Sequence, residues 1–236
     1  MDIKEKARQL YIESRKVMQA FIIAIPGHED SQLHADRCIQ SIIDTNSWID
    51  VQKFDAITPD NMWEVNWKWP YSKKKTCPNT GMTLKAYKTY DMSKRIAAAG
   101  SHYRLWQKAI ELQQPVMILE HDAIFTRQFK SFDFEGGAIS INNPDHATFN
   151  WKLYDKLDDS GEQEVPWVAD ESIPQGLPGH SAYIIKPEAA KEICELQDIV
   201  GWWPNDAIMC KQLCPWLRAY KPYFTKVQGI KSTTSK

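Results

Sequence analysis

The hydrophobic and polar pattern alternates short apolar runs with segments of helical spacing. Apolar runs rich in branched residues predict buried strands at 20–25, 51–54, 116–119, 137–141 and 182–185. Apolar residues three and four positions apart predict helices at 3–18, 35–43 (with Ser31 as N-cap), 93–112, 187–196 and 204–213. The first strand, helix and strand make a βαβ unit, so we expect an α/β fold with parallel strand pairing.

Two long segments interrupt this pattern. Residues 61–83 hold Trp67, Trp69, Tyr71 and a lysine run, which is typical of a functional loop or insertion. Residues 142–179 are acidic and irregular, and the tail from 226 to 236 is expected to be flexible. We expect a single domain over 1–236, with a nucleotide-sugar-binding half at 20–125 and an acceptor-side half at 126–225.

Composition narrows the class of protein. The chain has 236 residues, 43% hydrophobic and 25% charged, which excludes a disordered, collagen-like or coiled-coil chain. No apolar run approaches the ~20 residues that span a bilayer, and eight of the first twenty residues are charged. The sequence therefore predicts neither a signal peptide nor a transmembrane segment. Five cysteines without C-x-x-C spacing favour a reducing compartment, the cytoplasm, or the host cytoplasm if the gene is phage-encoded.

Charge is unevenly distributed although the net charge is only −1. Basic residues concentrate at 63–95 and 207–236, and acidic residues at 131–175. This pattern predicts a polarised surface that attracts a polyanion, or an ordinary solvated surface of mixed charge.

The strongest chemical signal is Glu120-His121-Asp122, which directly follows a buried strand. Ligands of open α/β sheets bind beyond the carboxyl ends of the strands. Residues i and i+2 of a strand share a face, and two such carboxylates repel unless a cation joins them. A hard divalent cation shared with phosphates fits this pair. The alternative is ordinary acidic residues at a strand end.

Several motifs resemble one known family. Glycosyltransferase family 25 has a Ser-His-x-x-x-Trp helix followed by a Leu-Glu-Asp-Asp strand. The helix resembles Ser101, His102 and Trp106 of this sequence, and the strand resembles Leu119 to Asp122. That family includes lipooligosaccharide and collagen galactosyltransferases. Residues 21–37, 179–189 and 204–206 resemble further family segments in the same order.

The sequence also departs from that family pattern. The middle carboxylate of Glu-Asp-Asp is His121 here, and residues 25–28 lack the usual Asn-Leu. Residues 61–83 have no counterpart that aligns.

The resemblance implies a single-domain, GT-A-like (Rossmann-like) enzyme with a mixed sheet flanked by helices. It implies transfer of a sugar from a UDP-sugar to a hydroxyl group, with inversion. It further implies a divalent metal, Mn²⁺ or Mg²⁺, held by Asp122 and Glu120, with His180 as a third ligand.

Other site residues are assigned on the same resemblance. Asp206 is the expected catalytic base, and His102 is expected to contact donor or acceptor. Donor binding is assigned to Ile25, Pro26, Arg37 and Glu120. The alternatives are structural roles for the two histidines, helix capping for Asp206, and a plain surface arginine at position 37.

The acceptor stays open between two classes. Lysines and aromatic residues at 61–83, with a basic tail, favour a polyanionic acceptor, 5-hydroxymethylcytosine in phage DNA. The other class is a lipopolysaccharide or lipooligosaccharide. A catalytically silent nucleic-acid-binding protein is a third possibility, which the retained Glu120 and Asp122 argue against.

Overall fold

Seven strands form one mixed sheet in the order β2-β1-β5-β9-β7-β10-β8. This is a computed structural model, and it describes residues 17–68, 74–85, 91–145, 151–166 and 177–229. The strands are β1 Met18–Ala24, β2 Ile49–Asp55, β3 Lys74–Thr76, β4 Thr83–Lys85, β5 Val116–Glu120, β6 Ala123–Phe125, β7 Ala138–Ser140, β8 Gly161–Glu164, β9 Ala182–Ile185, β10 Leu217–Lys221 and β11 Thr225–Val227. The helices are α1 Glu29–Asp44, α2 Met92–Leu112, α3 Pro187–Val200 and α4 Asn205–Ile208, with 3-10 turns at Met62–Glu64 and Trp151–Lys156.

Strand direction brings several strand ends to one edge of the sheet. β1 runs parallel to β2 and β5, whereas β9 runs antiparallel to β5 and β7. The carboxyl ends of β1, β2, β5 and β7 therefore meet the amino end of β9. The expected parallel βαβ unit and the mixed sheet flanked by helices are confirmed.

Alternation along the strands gives the sheet two apolar faces. Phe21, Ile118 and Tyr183 contribute to the face covered by α2 and α3. Ile22 and Leu119 contribute to the opposite face, which packs against α1 and the β6–β11 ribbon. Both faces are buried because helices or a ribbon cover each of them, which explains the continuous apolar runs of β1 and β5.

The turn between β1 and α1 differs from the prediction. The imidazole Nδ1 of His28 caps α1 by accepting from the backbone N–H of Ser31 at 3.2 Å, so Ser31 is not the N-cap. The Ser31 hydroxyl instead accepts from the backbone N–H of Ile25 at 2.9 Å. Pro26 and Gly27 form the tight turn between them, and Gly27 has a φ of 69°, a conformation that favours glycine.

Other boundaries also need correction. The helix expected at 204–213 is only the four-residue α4. The irregular segment 142–179 contains the edge strand β8. Lys226 and Val227 of the expected flexible tail pair with β6 in β11. Met18 begins β1, whereas residues 3–16 of the first expected helix lie outside the described residues, as do Trp69, Tyr71 and Lys73.

Across the described ranges, no helix is both long and apolar enough to cross a bilayer. All five cysteines are buried and carry free thiols.

Candidate functional site

Glu120 ends β5 at the edge where the strand ends meet. Its side chain lies on the α2 side of the sheet, where His102 Nε2 is 3.3 Å from Glu120 Oε1. The Ser181 hydroxyl donates to Glu120 Oε2 at 3.4 Å, and the Glu120 backbone N–H donates to the Ser181 carbonyl at 2.8 Å. One carboxylate oxygen therefore accepts from Ser181, and the other lies beside the His102 ring.

Asp122 lies beyond the end of the strand, in a turn. Its Oδ1 is buried and has no hydrogen-bond partner among the described residues. Burial, and secondly the charge of Glu120, raise the pKa of Asp122 from 3.8 to about 7. Burial, with the nearby charge of Asp122, also raises the pKa of the Cys38 thiol on α1 to about 12.

The alternation argument for these two carboxylates needs correction. β5 stops at Glu120, so strand geometry does not determine where Asp122 points. Glu120 faces α2, whereas Asp122 lies close enough to Cys38 of α1 to perturb it. The two carboxylates still interact, and the Ser181 hydroxyl lowers the pKa of Asp122 as well as bonding Glu120.

His121, the middle residue of the motif, lies on the α1 side. Its ring centroid is 6.5 Å from that of His34. Burial lowers the pKa of His121, and the neighbouring His34 and His28 lower it further against the opposing effect of Glu120. The imidazole of His121 is therefore neutral, so the middle position of this motif adds no negative charge to the site.

Gln228 links the turn at His121 and Asp122 to α1 through hydrogen bonds. Its side-chain amide donates to the carbonyls of His34, His121 and Ala123 at 3.0, 3.2 and 3.2 Å. Its backbone N–H donates to the Asp122 carbonyl at 2.8 Å. The segment expected to be a loose tail thus holds the carboxylates in place through Gln228.

His102 lies inside the protein behind Glu120. It is 2% exposed, and its Nδ1 is 2.9 Å from the Tyr183 hydroxyl. The Trp106 indole, one turn further along α2, donates to the same hydroxyl at 2.8 Å. Ser101, beside His102, accepts from the backbone N–H of Ile57 at 2.9 Å and so ties the loop after β2 to α2.

His180 is buried against this cluster. Its ring stacks on Tyr183 with centroids 4.1 Å apart, and the centroid of His102 is 5.9 Å away. Neither His180 nitrogen has a hydrogen-bond partner within the described part of the chain. Burial, and secondly His102, lower the pKa of His180 well below 6.5, so its imidazole is neutral.

Asp206 belongs to the same site, although it is distant in sequence. It lies in the first turn of α4, whose N-cap is Pro204, so Asp206 is not the capping residue. Burial, and secondly the charge of Glu120, raise the pKa of Asp206, while Arg95 and His102 lower it. The raised pKa makes Asp206 a stronger base than an ordinary aspartate.

The donor set fits part of a metal site. Among the described residues, no three His, Cys, Asp or Glu side chains lie close enough together to hold a metal ion. His180 therefore does not form a cluster with Asp122 and Glu120 here. The two carboxylates, one with an unpartnered buried oxygen, suit a hard cation whose remaining ligands come from phosphate and water.

The residues assigned to donor binding lie on and near the β1–α1 turn. The Ile25 carbonyl accepts from the Gln32 side chain at 3.1 Å, which holds the turn against α1. Pro26 is exposed beside it, and Arg37 is exposed further along α1. Their roles in donor binding stay predictions.

The family profile described as glycosyltransferase family 25 (LPS biosynthesis protein) matches residues 18–209. This span covers most of the chain and includes the site around Glu120 except Gln228. The chain belongs to glycosyltransferase family 25. It is therefore a glycosyltransferase, and its mixed seven-stranded sheet is consistent with a Rossmann-like, GT-A-like enzyme.

No curated protein matches the chain in sequence. Three residues of the segments that resemble the family, His102, Trp106 and Tyr183, are joined by hydrogen bonds behind Glu120.

The sequence did not reveal three contributors to this site. Ser181 and Gln228 act mainly through hydrogen bonds to partners far along the chain, which no local pattern indicates. Arg95 is one of two adjacent basic residues in the first turn of α2, and only the fold brings it near Asp206. Trp106 was recognisable, since it follows His102 by four residues and so shares its helix face.

Proposed function

We propose that this family 25 enzyme transfers a sugar from a UDP-sugar to an acceptor hydroxyl, with Mn²⁺ or Mg²⁺ held by Asp122 and Glu120. The observation that carries the proposal is the carboxylate pair at the carboxyl end of β5. A cation bound here would stabilise the ionised form of Asp122, which has a buried, unpartnered oxygen and a pKa raised to about 7. A bound cation would neutralise the charge that develops on the departing nucleoside diphosphate.

The chain's own residues have distinct parts in the reaction. Asp206 takes the proton of the acceptor hydroxyl as that oxygen bonds to the anomeric carbon. The bond from this carbon to the diphosphate oxygen breaks at the same time, and the nucleoside diphosphate leaves with the electron pair. Glu120, held by His102 and Ser181, and Asp122, held through Gln228, orient the donor.

For the acceptor we propose a lipopolysaccharide-type saccharide. The family description supports this class. Trp63 adds a specific observation, because its indole is 74% exposed and its N–H is bonded to the Asp60 carbonyl at 3.1 Å. The flat face stays available to stack on a sugar ring. Its loop follows β2 and is tied to α2 beside His102.

Hydroxymethylated DNA is the second candidate. Lys74 and Lys75 are exposed on the β3–β4 hairpin, where they suit a phosphate backbone.

Mass spectrometry of the products tests the proposal. The enzyme is incubated with Mn²⁺, a panel of nucleotide sugars, and either truncated lipooligosaccharide or hydroxymethylated DNA. We expect one added sugar on the lipooligosaccharide. An added sugar on the DNA alone would assign the second acceptor, and no product from any nucleotide sugar would contradict the proposed reaction. Asp122→Asn serves as the inactive control, and the exposed Asp133→Asn as the matched active control.

A further inference from the structure

Two hydrogen bonds and one close polar contact lead from the protein interior to the site. Trp106 Nε1 lies 2.8 Å from the Tyr183 hydroxyl, which lies 2.9 Å from His102 Nδ1. The other ring nitrogen, His102 Nε2, is 3.3 Å from Glu120 Oε1. Trp106 and Tyr183 are fully buried, so water cannot replace these partners.

The chemistry of the groups determines the direction of these hydrogen bonds. An indole N–H only donates, so the Tyr183 oxygen is the acceptor toward Trp106. The hydroxyl has one proton, and within the described part of the chain its remaining partner is His102 Nδ1. A buried hydroxyl that fails to donate loses a hydrogen bond. Tyr183 therefore donates to Nδ1.

We propose that Trp106 and Tyr183 are positioning residues that hold the His102 ring with Nδ1 as an acceptor, so that its Nε2–H is directed at Glu120. The inference rests on the proposed function, in which Glu120 orients the donor. Because Nδ1 accepts from the Tyr183 hydroxyl, the ring proton is on Nε2. His102 therefore acts through Glu120 as a donor, and it does not serve as a base for the acceptor.

The surroundings agree with this arrangement. Burial raises the pKa of Tyr183 well above 10, so the phenol keeps the proton that it donates. The neutral ring of His180 stacks on Tyr183 and holds it in place. Ser181 donates to the second oxygen of Glu120, and the first lies beside the His102 ring.

Nitrogen-15 NMR of the histidine side chains tests the tautomer directly. His102 is assigned by its absence from the spectrum of His102→Gln. We expect the wild-type spectrum to show a protonated Nε2 and an unprotonated Nδ1. In Tyr183→Phe the Nδ1 resonance should move to higher frequency, because Nδ1 has lost its hydrogen-bond donor. The matched control Tyr103→Phe should leave this resonance unchanged. A proton on Nδ1 in the wild type would overturn the proposal, even if Tyr183→Phe fails to fold.

Kinetics with two His102 variants provide a second test. A glutamine at position 102 can place its side-chain N–H near the position of Nε2. An asparagine there places its amide near the position of Nδ1. We expect His102→Asn to lower kcat/KM roughly tenfold to a hundredfold, the effect of losing one hydrogen bond to a charged group, and His102→Gln to recover most of it. Equal losses would refute the donor role. The NMR result does not depend on turnover, so it stands apart from a failure of the proposed reaction.

Discussion

Replacing Asp122 with asparagine should inactivate the enzyme and at the same time stabilise its fold. The pKa of Asp122 is raised from 3.8 to about 7, first by burial and then by Glu120. Each pKa unit corresponds to about 1.4 kcal/mol, so ionised Asp122 costs the folded protein about 4 kcal/mol at most. Asparagine has nearly the same shape and never ionises, so the variant avoids this cost.

The sign of the pH dependence follows from the raised pKa. Between pH 3.8 and about 7 the unfolded chain loses the proton while the folded protein keeps it. Stability of the parent therefore falls as the pH rises through this window, and the loss is constant above it. The advantage of Asp122→Asn should grow by about 2 to 3 kcal/mol between pH 5 and pH 8. For a chain of this length that corresponds to roughly 4–12 °C in Tm.

Thermal unfolding of both proteins at pH 5 and pH 8, in EDTA, measures this difference. Asp133→Asn is the matched control, because Asp133 is exposed and should show no such pH-dependent gain. A variant that is less stable than the parent at pH 8, or a difference that does not change with pH, would refute the account of Asp122 as a buried carboxylate with one unpartnered oxygen.

Four further experiments test other parts of the protein. Asp206→Asn should lower the rate of sugar transfer about 10²- to 10⁴-fold, the contribution of a general base. Calorimetry should show unchanged binding of UDP with Mn²⁺. A large loss of UDP affinity would instead assign Asp206 to donor binding. Gln228→Ala should lower the free energy of unfolding by about 1–3 kcal/mol and weaken UDP binding. An unchanged Tm would show that the hydrogen bonds of Gln228 do not stabilise the fold. Trp63→Ala should raise the saccharide KM roughly three- to tenfold with Trp63→Phe close to wild type, and equal effects on the donor KM would contradict stacking. If DNA is the acceptor, Lys74→Ala with Lys75→Ala should weaken binding to any sequence and flatten its salt dependence by about one log unit per lost phosphate contact.

Much of the sheet was predictable because its strands are buried on both faces. Continuous apolar runs mark β1, β5 and β9, and β9 begins and ends at the predicted residues. The short edge strands β8 and β11 were not predictable. They carry few apolar residues, and they form only because they pair with β10 and β6. The helix expected after Pro204 ends at Ile208, because Met209 leaves the helical conformation.

The site was predictable only where its residues form local motifs. Glu120, Asp122 and His102 follow from spacing and resemblance; in the structure His102 contacts Glu120, and Glu120 interacts electrostatically with Asp122. The orientation of Asp122 was not predictable, because the turn after β5 breaks the strand alternation. The hydrogen bonds of Gln228 and Ser181 link residues far apart in sequence, so they follow from the tertiary fold and not from any local pattern.

Calorimetric titration of nucleoside diphosphates tests the central claim most directly, that Asp122 and Glu120 hold a cation with the sugar donor. UDP, GDP, ADP and CDP are titrated into the wild type with Mn²⁺, into the wild type with EDTA, and into Asp122→Asn with Mn²⁺. We predict that UDP binds the wild type in Mn²⁺, and that binding is lost or greatly weakened in the other two cases. Equal affinity in all three, or no binding of any nucleotide, would contradict the account.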